Sequence, residues 1–237
     1  MKFRAVWTVF TFILGISGCR TGKETSNYQL SDGYYKGKIF NNQNNRVYIH
    51  NSEDTISIYL VQRKTKSIDT LNELKKTFPQ LASNFSLMPA TLKQASFDID
   101  FLTIPFKYRP SQKEFPRQFN TNLNGALYVG YRTDIYRLRY VKTPFKSFNR
   151  KTPHYGLSFG LFTGLGGTTM NPSVTNNQIV SEYDGVVWSK GIAAIIGINN
   201  FTIGLALGYD DLLDYNKKKW LYQGKPWLGL AFGLNIN

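Results

Sequence analysis

Trp227-Leu228-Gly229-Leu230-Ala231-Phe232-Gly233-Leu234-Asn235-Ile236-Asn237 closes the chain with an unbroken alternation of period two. Leu228, Leu230, Phe232, Leu234 and Ile236 share one face, and Trp227, Gly229, Ala231, Gly233 and Asn235 the other. Side chains of a strand point alternately to opposite faces, so this strand carries a bulky apolar stripe backed by a small or polar one. A half-solvated sheet of a soluble protein puts its bulk against a core and charge toward water. Bulk against lipid with slim groups inside is the pattern of a membrane-spanning β-barrel.

The same pattern recurs upstream. Phe97, Ile99 and Phe101 alternate with Asp98 and Asp100, and Ile104, Phe106 and Tyr108 continue beyond Pro105 after a phase slip that predicts a bulge there. Leu123, Leu127, Val129 and Tyr131 form the next stripe; a short turn at Thr133-Asp134 would then lead into Tyr136, Leu138 and Tyr140. Tyr155, Leu157, Phe159, Leu161 and Leu165 oppose Gly156, Ser158, Gly160 and Gly164. Val186, Trp188, Ile192, Ala194, Ile196 and Ile198 lead to a hairpin turn at Asn199-Asn200, and Ile203, Leu205, Leu207 and Tyr209 oppose Gly204, Ala206, Gly208 and Asp210. With the closing stretch these make seven strands of about ten residues, the length that crosses a tilted bilayer. Closure requires an even number, so the upstream segment 55–61 is the expected eighth.

The predicted fold is therefore all-β, an antiparallel up-and-down transmembrane β-barrel of about 8 strands with a small amino-terminal β region. Residues 34–94 read as short strands around 35–40, 47–50 and 56–60, plus a short amphipathic helix in 67–78 ended by Pro79, and contribute a barrel strand. Residues 95–237 form the barrel. If the last strand ends in the periplasm, Asn199-Asn200 faces it too, and loops 167–184 and 211–226 face outside.

The amino terminus fits export. Lys2 and Arg4 precede an apolar stretch, 5–16, too short to span a bilayer as a helix, and Ser17-Gly18 places small residues before Cys19. Residues 1–18 read as a signal peptide and 19–33 as a flexible tether. Cys19 is the sole cysteine, so no disulfide forms within the chain, and Ile16-Ser17-Gly18-Cys19 is similar to a bacterial lipobox that would make Cys19 the lipidated residue.

Aromatic residues are 15 % of the chain, suited to interfacial girdles, while the mean hydropathy is only −0.31 because half of each strand is polar. The formal charge is +14. The cations are dispersed, and no nucleic-acid-binding pattern is present, so the charge points to anionic lipid or lipopolysaccharide, or to the barrel interior. Asp98, Asp100, Arg132, Arg137, Arg139 and Asp210 read as inward groups, a lumen charge network that plugs the barrel and holds register. Tyr215, Lys217, Lys218, Lys219, Trp220 and Tyr222 read as exterior-loop contacts for lipopolysaccharide or a protein partner. His154 and Ser158 sit four residues apart, about 13 Å along a strand, beyond reach for a nucleophile and its base. No catalytic residue, cofactor or metal site is expected. Asp210, Asp211, Asp214, Glu182 and Asp184 lack the spacing of a calcium loop.

The stretches 182–191 (EYDGVVWSKG), 204–210 (GLALGYD) and 225–229 (KPWLG) resemble a group of uncharacterised outer-membrane β-barrel proteins of Bacteroidetes-type bacteria. The resemblance runs from Phe97 onward and implies fold and compartment, with no activity attached. Two alternatives compete with a structural or surface-interaction barrel in the Gram-negative outer membrane. One is a periplasmic lipid-anchored soluble β-barrel with bulk turned inward around an apolar ligand; the other is an outer-membrane lipid-modifying enzyme.

Overall fold

The computed structural model describes residues 30–40, 44–52, 54–61, 75–82, 89–112, 115–198 and 201–235. Cys19, the signal segment and the Asn199-Asn200 turn lie outside them. Thirteen strands account for nearly all regular structure among the described residues: β1 (Gly33–Gly37), β2 (Asn45–Ser52), β3 (Thr55–Leu60), β4 (Lys75–Pro79), β5 (Leu81–Ala82), β6 (Ala90–Arg109), β7 (Gln118–Asn120), β8 (Asn124–Lys142), β9 (Phe148–Lys151), β10 (His154–Met170), β11 (Tyr183–Ile198), β12 (Phe201–Leu212) and β13 (Pro226–Asn235). Two single 3-10 turns, Ser173–Thr175 and Tyr215–Lys218, sit in the long connections, and no α-helix occurs among the described residues.

Six strands close on themselves. β6 pairs with β13, and the order continues through β12, β11, β10 and β8 back to β6, every neighbour antiparallel. The ring therefore has six strands where the sequence pattern counted about eight. One of the missing two is a merger. No turn forms at Thr133-Asp134; β8 runs straight through it, each residue paired with β6 from Leu138 to Gly125. The other is 55–61, which forms β3 and pairs with β2 and β4, away from the ring.

That amino-terminal region builds a second circuit. β1 to β4 form an antiparallel meander, and β1 joins the start of β6 at Lys36↔Lys93 and Gly37↔Leu92. On the far side the end of β8 pairs with β9, and β9 with β5. Only Gln80 separates β4 from β5; its N–H donates to the Asp54 carbonyl (2.6 Å) and its carbonyl accepts from Arg150 N–H (2.9 Å). Segment 75–82 thus ties β3 to β9 and covers edges that would otherwise stand open to further pairing. Of the helix expected in 67–78, residues 67–74 lie outside the described residues, while 75–78 belong with Pro79 to β4, where pairing with β3 outweighs a weak helical spacing. Leu30, ahead of β1, is buried in the core of this circuit.

Both circuits share β6 and β8, and the outer faces of these strands change character where the circuits part. On β6 the outward residues are Thr91, Lys93 and Ala95, then Phe97, Ile99 and Phe101. On the ring the exposed outward set includes Leu127, Val129 and Tyr131; Leu157, Phe159, Leu161 and Leu165; Val186, Trp188, Ile192 and Ile196; Ile203, Leu205 and Leu207; and Leu228, Leu230 and Phe232. Gly204, Ala206, Gly208, Gly229 and Ala231 point inward. The bulky stripes expected outward face outward on β10 to β13 and over 127–131 of β8, but Ile104, Tyr136 and Leu138, expected on the same outer stripes, turn inward, where Leu102, Tyr128, Phe162, Ile195 and Trp227 also lie.

Narrow closure explains the inward glycines. A Cβ on Gly164 would run into the Gly125 carbonyl and Ala126 Cα, and one on Gly160 into the Val129 carbonyl and Gly130 Cα, so the sheet curves tightly enough to bring the neighbouring backbone into the inner side-chain position. The expected bulge is present: Thr103 pairs with Phe232 but Phe106 with Leu230, and the inward phase passes from Ile104 to Lys107.

Gly164→Val should fail to close the ring and show no cooperative thermal unfolding by circular dichroism. Gly125→Val, outward with no atom within 4 Å of its new Cβ, should unfold within a few degrees of the wild type.

Candidate functional site

The interior is layered along the strands. Ala90, Leu92, Tyr136 and Leu138 belong to the apolar core of the amino-terminal circuit. Leu102, Ile104, Ala126, Tyr128, Phe162, Ala193, Ile195, Ala206, Trp227 and Ala231 fill the middle of the ring. Met170, Val174, Val187, Leu212, Trp220 and Tyr222 close its loop end. Between successive apolar layers lies a polar cluster.

The cluster nearer the loops centres on Asp210. Lys107 Nζ lies 2.9 and 3.1 Å from its two oxygens, Arg109 Nη2 donates to Oδ2 at 2.6 Å, and Ser189 Oγ donates to Oδ1 at 2.6 Å. Lys107 also donates to Asn124 Oδ1 (2.8 Å) and Ser189 Oγ (2.9 Å), and Arg109 Nη1 to Thr168 Oγ1 (3.0 Å). Two cations face one carboxylate, and aromatic rings take up the excess: Lys107 Nζ is 4.4 Å from the Trp227 ring centre, while the Arg109 guanidinium carbon is 4.9 Å from Trp220 and 5.3 Å from Tyr222. Every strand of the ring contributes, from Lys107 and Arg109 on β6, Asn124 on β8, Thr168 on β10, Ser189 on β11 and Asp210 on β12 to Trp227 on β13. The arrangement is a clasp that fixes register.

The second cluster lies toward the amino-terminal circuit. Asp134 accepts from Arg132 Nε (2.8 Å), approaches His154 Nε2 at 2.6 Å and receives a long bond from Ser96 Oγ (3.4 Å). Arg132 Nη1 also stands 3.8 Å from Asp98, and Asp100 is buried beside this group. His154 stacks on Tyr136 with ring centres 4.6 Å apart. Ser158 instead exchanges a 2.8 Å hydrogen bond with the Tyr128 hydroxyl, so His154 and Ser158 serve different partners.

Of the inward charges expected from sequence, Asp98, Asp100, Arg132 and Asp210 lie inside. Arg137 and Arg139 do not: both are exposed, because the absent Thr133-Asp134 turn leaves β8 in phase and turns Tyr136 and Leu138 inward. Lys107, Arg109, Asp134 and His154 are the inward groups missed. The Pro105 slip was the signal for Lys107 and Arg109, since opposite Phe106 and Tyr108 they must face the axis.

The long connections 171–182 and 213–225 are folded. Leu221 N–H donates to the Val174 carbonyl (3.0 Å), Gly224 N–H to the Asp210 carbonyl (3.0 Å), and the Tyr222 hydroxyl to the Pro116 carbonyl (3.2 Å). Trp220 and Tyr222, expected as exterior contacts, are instead buried lids over Arg109. Burial raises the Tyr222 phenol above its ordinary pKa against the opposing pull of Arg109. Tyr215, Lys217 and Lys218 are exposed and Lys219 is half-buried. The acidic residues nearby have protein partners: Asp211 meets Lys190 (2.7 Å) and Gln223, and Asp214 accepts from Tyr183 (2.7 Å) and from Asn216 N–H. Among the described residues no three His, Cys, Asp or Glu side chains gather as for a metal ion.

Compared with protein-family models, curated proteins and solved structures, the chain matches none.

Asp210→Asn should lower stability by about 3–5 kcal/mol, since it leaves Lys107 and Arg109 buried without their counter-charge. Asp211→Asn, at a partly exposed pair, should cost about 0–1 kcal/mol. Denaturant titration of both variants in detergent measures the contrast.

Proposed function

We propose that this chain is a small integral outer-membrane protein whose six-stranded ring is a plugged transmembrane β-barrel. The observation that carries the reading is the continuous apolar exterior of the ring. It runs from Phe97 and Phe101 on β6 through Leu157, Phe159 and Leu161 on β10 to Leu205 and Leu207 on β12 and Leu230 on β13. Glycine, alanine and paired charges lie behind it. Lipid accepts such a surface, whereas water penalises an apolar belt of this extent.

The strand ends support one orientation. β13 runs from the loop cap toward the amino-terminal circuit, and the end of β11 at Ile198 and the start of β12 at Phe201 lie at that same end. With the last strand ending in the periplasm, the amino-terminal circuit is periplasmic, next to a lipid anchor at Cys19 that follows an export signal. The resemblance to Bacteroidetes-type outer-membrane barrels belongs to this same proposal. The cap faces outward and presents Tyr215, Lys217 and Lys218 to lipopolysaccharide or a protein partner, a structural or surface-interaction role. The packed interior layers favour this role over solute passage. The soluble ligand-binding alternative needs bulky residues turned inward, opposite to Leu205 and Leu207.

With the Cys19 lipid removed, carbonate or urea washing should still leave the protein in the membrane, and unboiled samples should migrate differently from boiled ones on a gel. Leu205→Arg, placing a charge on the lipid face, should cost about 2–4 kcal/mol if the position lies near the bilayer midplane. Release of this lipid-free protein by carbonate would contradict the proposal.

A further inference from the structure

Three cations stand in one row on the outer face just below the apolar belt. Arg46 on β2 lies directly opposite Lys36 on β1, and Lys36 directly opposite Lys93 on β6. Like charges placed opposite one another across a sheet are destabilising. No carboxylate lies within ion-pair distance of the three among the described residues, although Arg46 stacks 4.6 Å over the Tyr34 ring.

The row borders an open pocket of about 490 Å³, within the size range of small-molecule sites. Lys36, Lys93 and Arg46 line it together with Tyr34, Ala95 and Tyr131. It forms where β1 leaves β6 to enter the amino-terminal circuit. Lys93 precedes Phe97 by four residues, about 13 Å along the strand, and Phe97 pairs with Tyr131. The pocket therefore has a cationic end toward the amino-terminal circuit and an aromatic end continuous with the belt.

We infer that this pocket binds one anionic glycerophospholipid of the facing leaflet, its phosphate held by Lys36, Lys93 and Arg46 and its acyl chains laid along Phe97, Ile99 and Tyr131. The inference rests on the membrane reading above. An anionic head neutralises the repulsion within the row, and the adjoining apolar surface selects a lipid over a free phosphate.

The test uses full-length protein in zwitterionic detergent, with bound lipid counted by native mass spectrometry after exposure to phosphatidylglycerol or phosphatidylcholine. Wild type should retain phosphatidylglycerol at least about tenfold better than phosphatidylcholine, a difference of about 1.4 kcal/mol. Lys36→Gln with Lys93→Gln should lose that preference while keeping the heat-modifiable gel shift, and Lys217→Gln with Lys218→Gln, at the opposite end, should keep it. Equal retention of the two lipids by an integral wild type would overturn this site alone. Undiminished preference in the Lys36/Lys93 variant would do the same, as would displacement of the lipid by millimolar glycerol phosphate, which would make the ligand a soluble phosphate. Release of the protein from membranes by carbonate once its Cys19 lipid is removed would remove the membrane reading and this site together.

Discussion

Closure of a very narrow strand ring is the constraint on which the rest depends. Six antiparallel strands satisfy one another's backbone groups only if the sheet curves hard, and that curvature brings neighbouring backbone into the inner Cβ positions at Gly160 and Gly164. Small residues must therefore face the axis where the strands crowd most closely, so that the few large inward side chains, Tyr128, Phe162 and Trp227 among them, fill the space that remains, and most of the bulk is left for the exterior. The amphipathicity of the strands and the geometry of the ring are one fact seen from two sides.

A narrow bore leaves room for few side chains, and the chain fills that room in alternating layers. Apolar plugs separate two polar clusters, and the Asp210 clasp draws a residue from every strand of the ring. Buried charges are costly unless paired, so the same groups that fix register also tie the loop end to the ring through Arg109, Trp220 and Tyr222. At the other end β6 and β8 run on into the second circuit, which has an ordinary apolar core. The molecule thus joins an apolar exterior to a polar one along two uninterrupted strands.

Much of the ring was legible in the sequence because a period of two survives wherever one face must be slim. β10 to β13 follow their stripes, and the Pro105 slip marks a real bulge. Strand count was less legible. Thr133-Asp134 looks like a turn locally, yet Asp134 is an inward partner of Arg132 and His154, which only the paired strands reveal. Taken as a turn, it also reverses the phase of Arg137 and Arg139, which face outward. The second circuit was hidden because its strands are short and its closure rests on single residues of segment 75–82, through the backbone of Gln80, its side-chain bond to Asn149 and the Tyr140 hydroxyl on the Pro79 carbonyl, none of which leaves a periodic pattern. Trp220 and Tyr222 read as surface aromatics because a loop that folds back over a ring end leaves no periodicity.

The most direct measurement is a depth profile by spin labels on the outward positions of β10 and β8 in liposomes, comparing collision with oxygen and with a water-soluble nickel chelate. Labels at 157, 159 and 161 should favour oxygen strongly, and labels at 137 and 139 should favour nickel, with the crossover between them. Nickel access at all five positions would contradict the account.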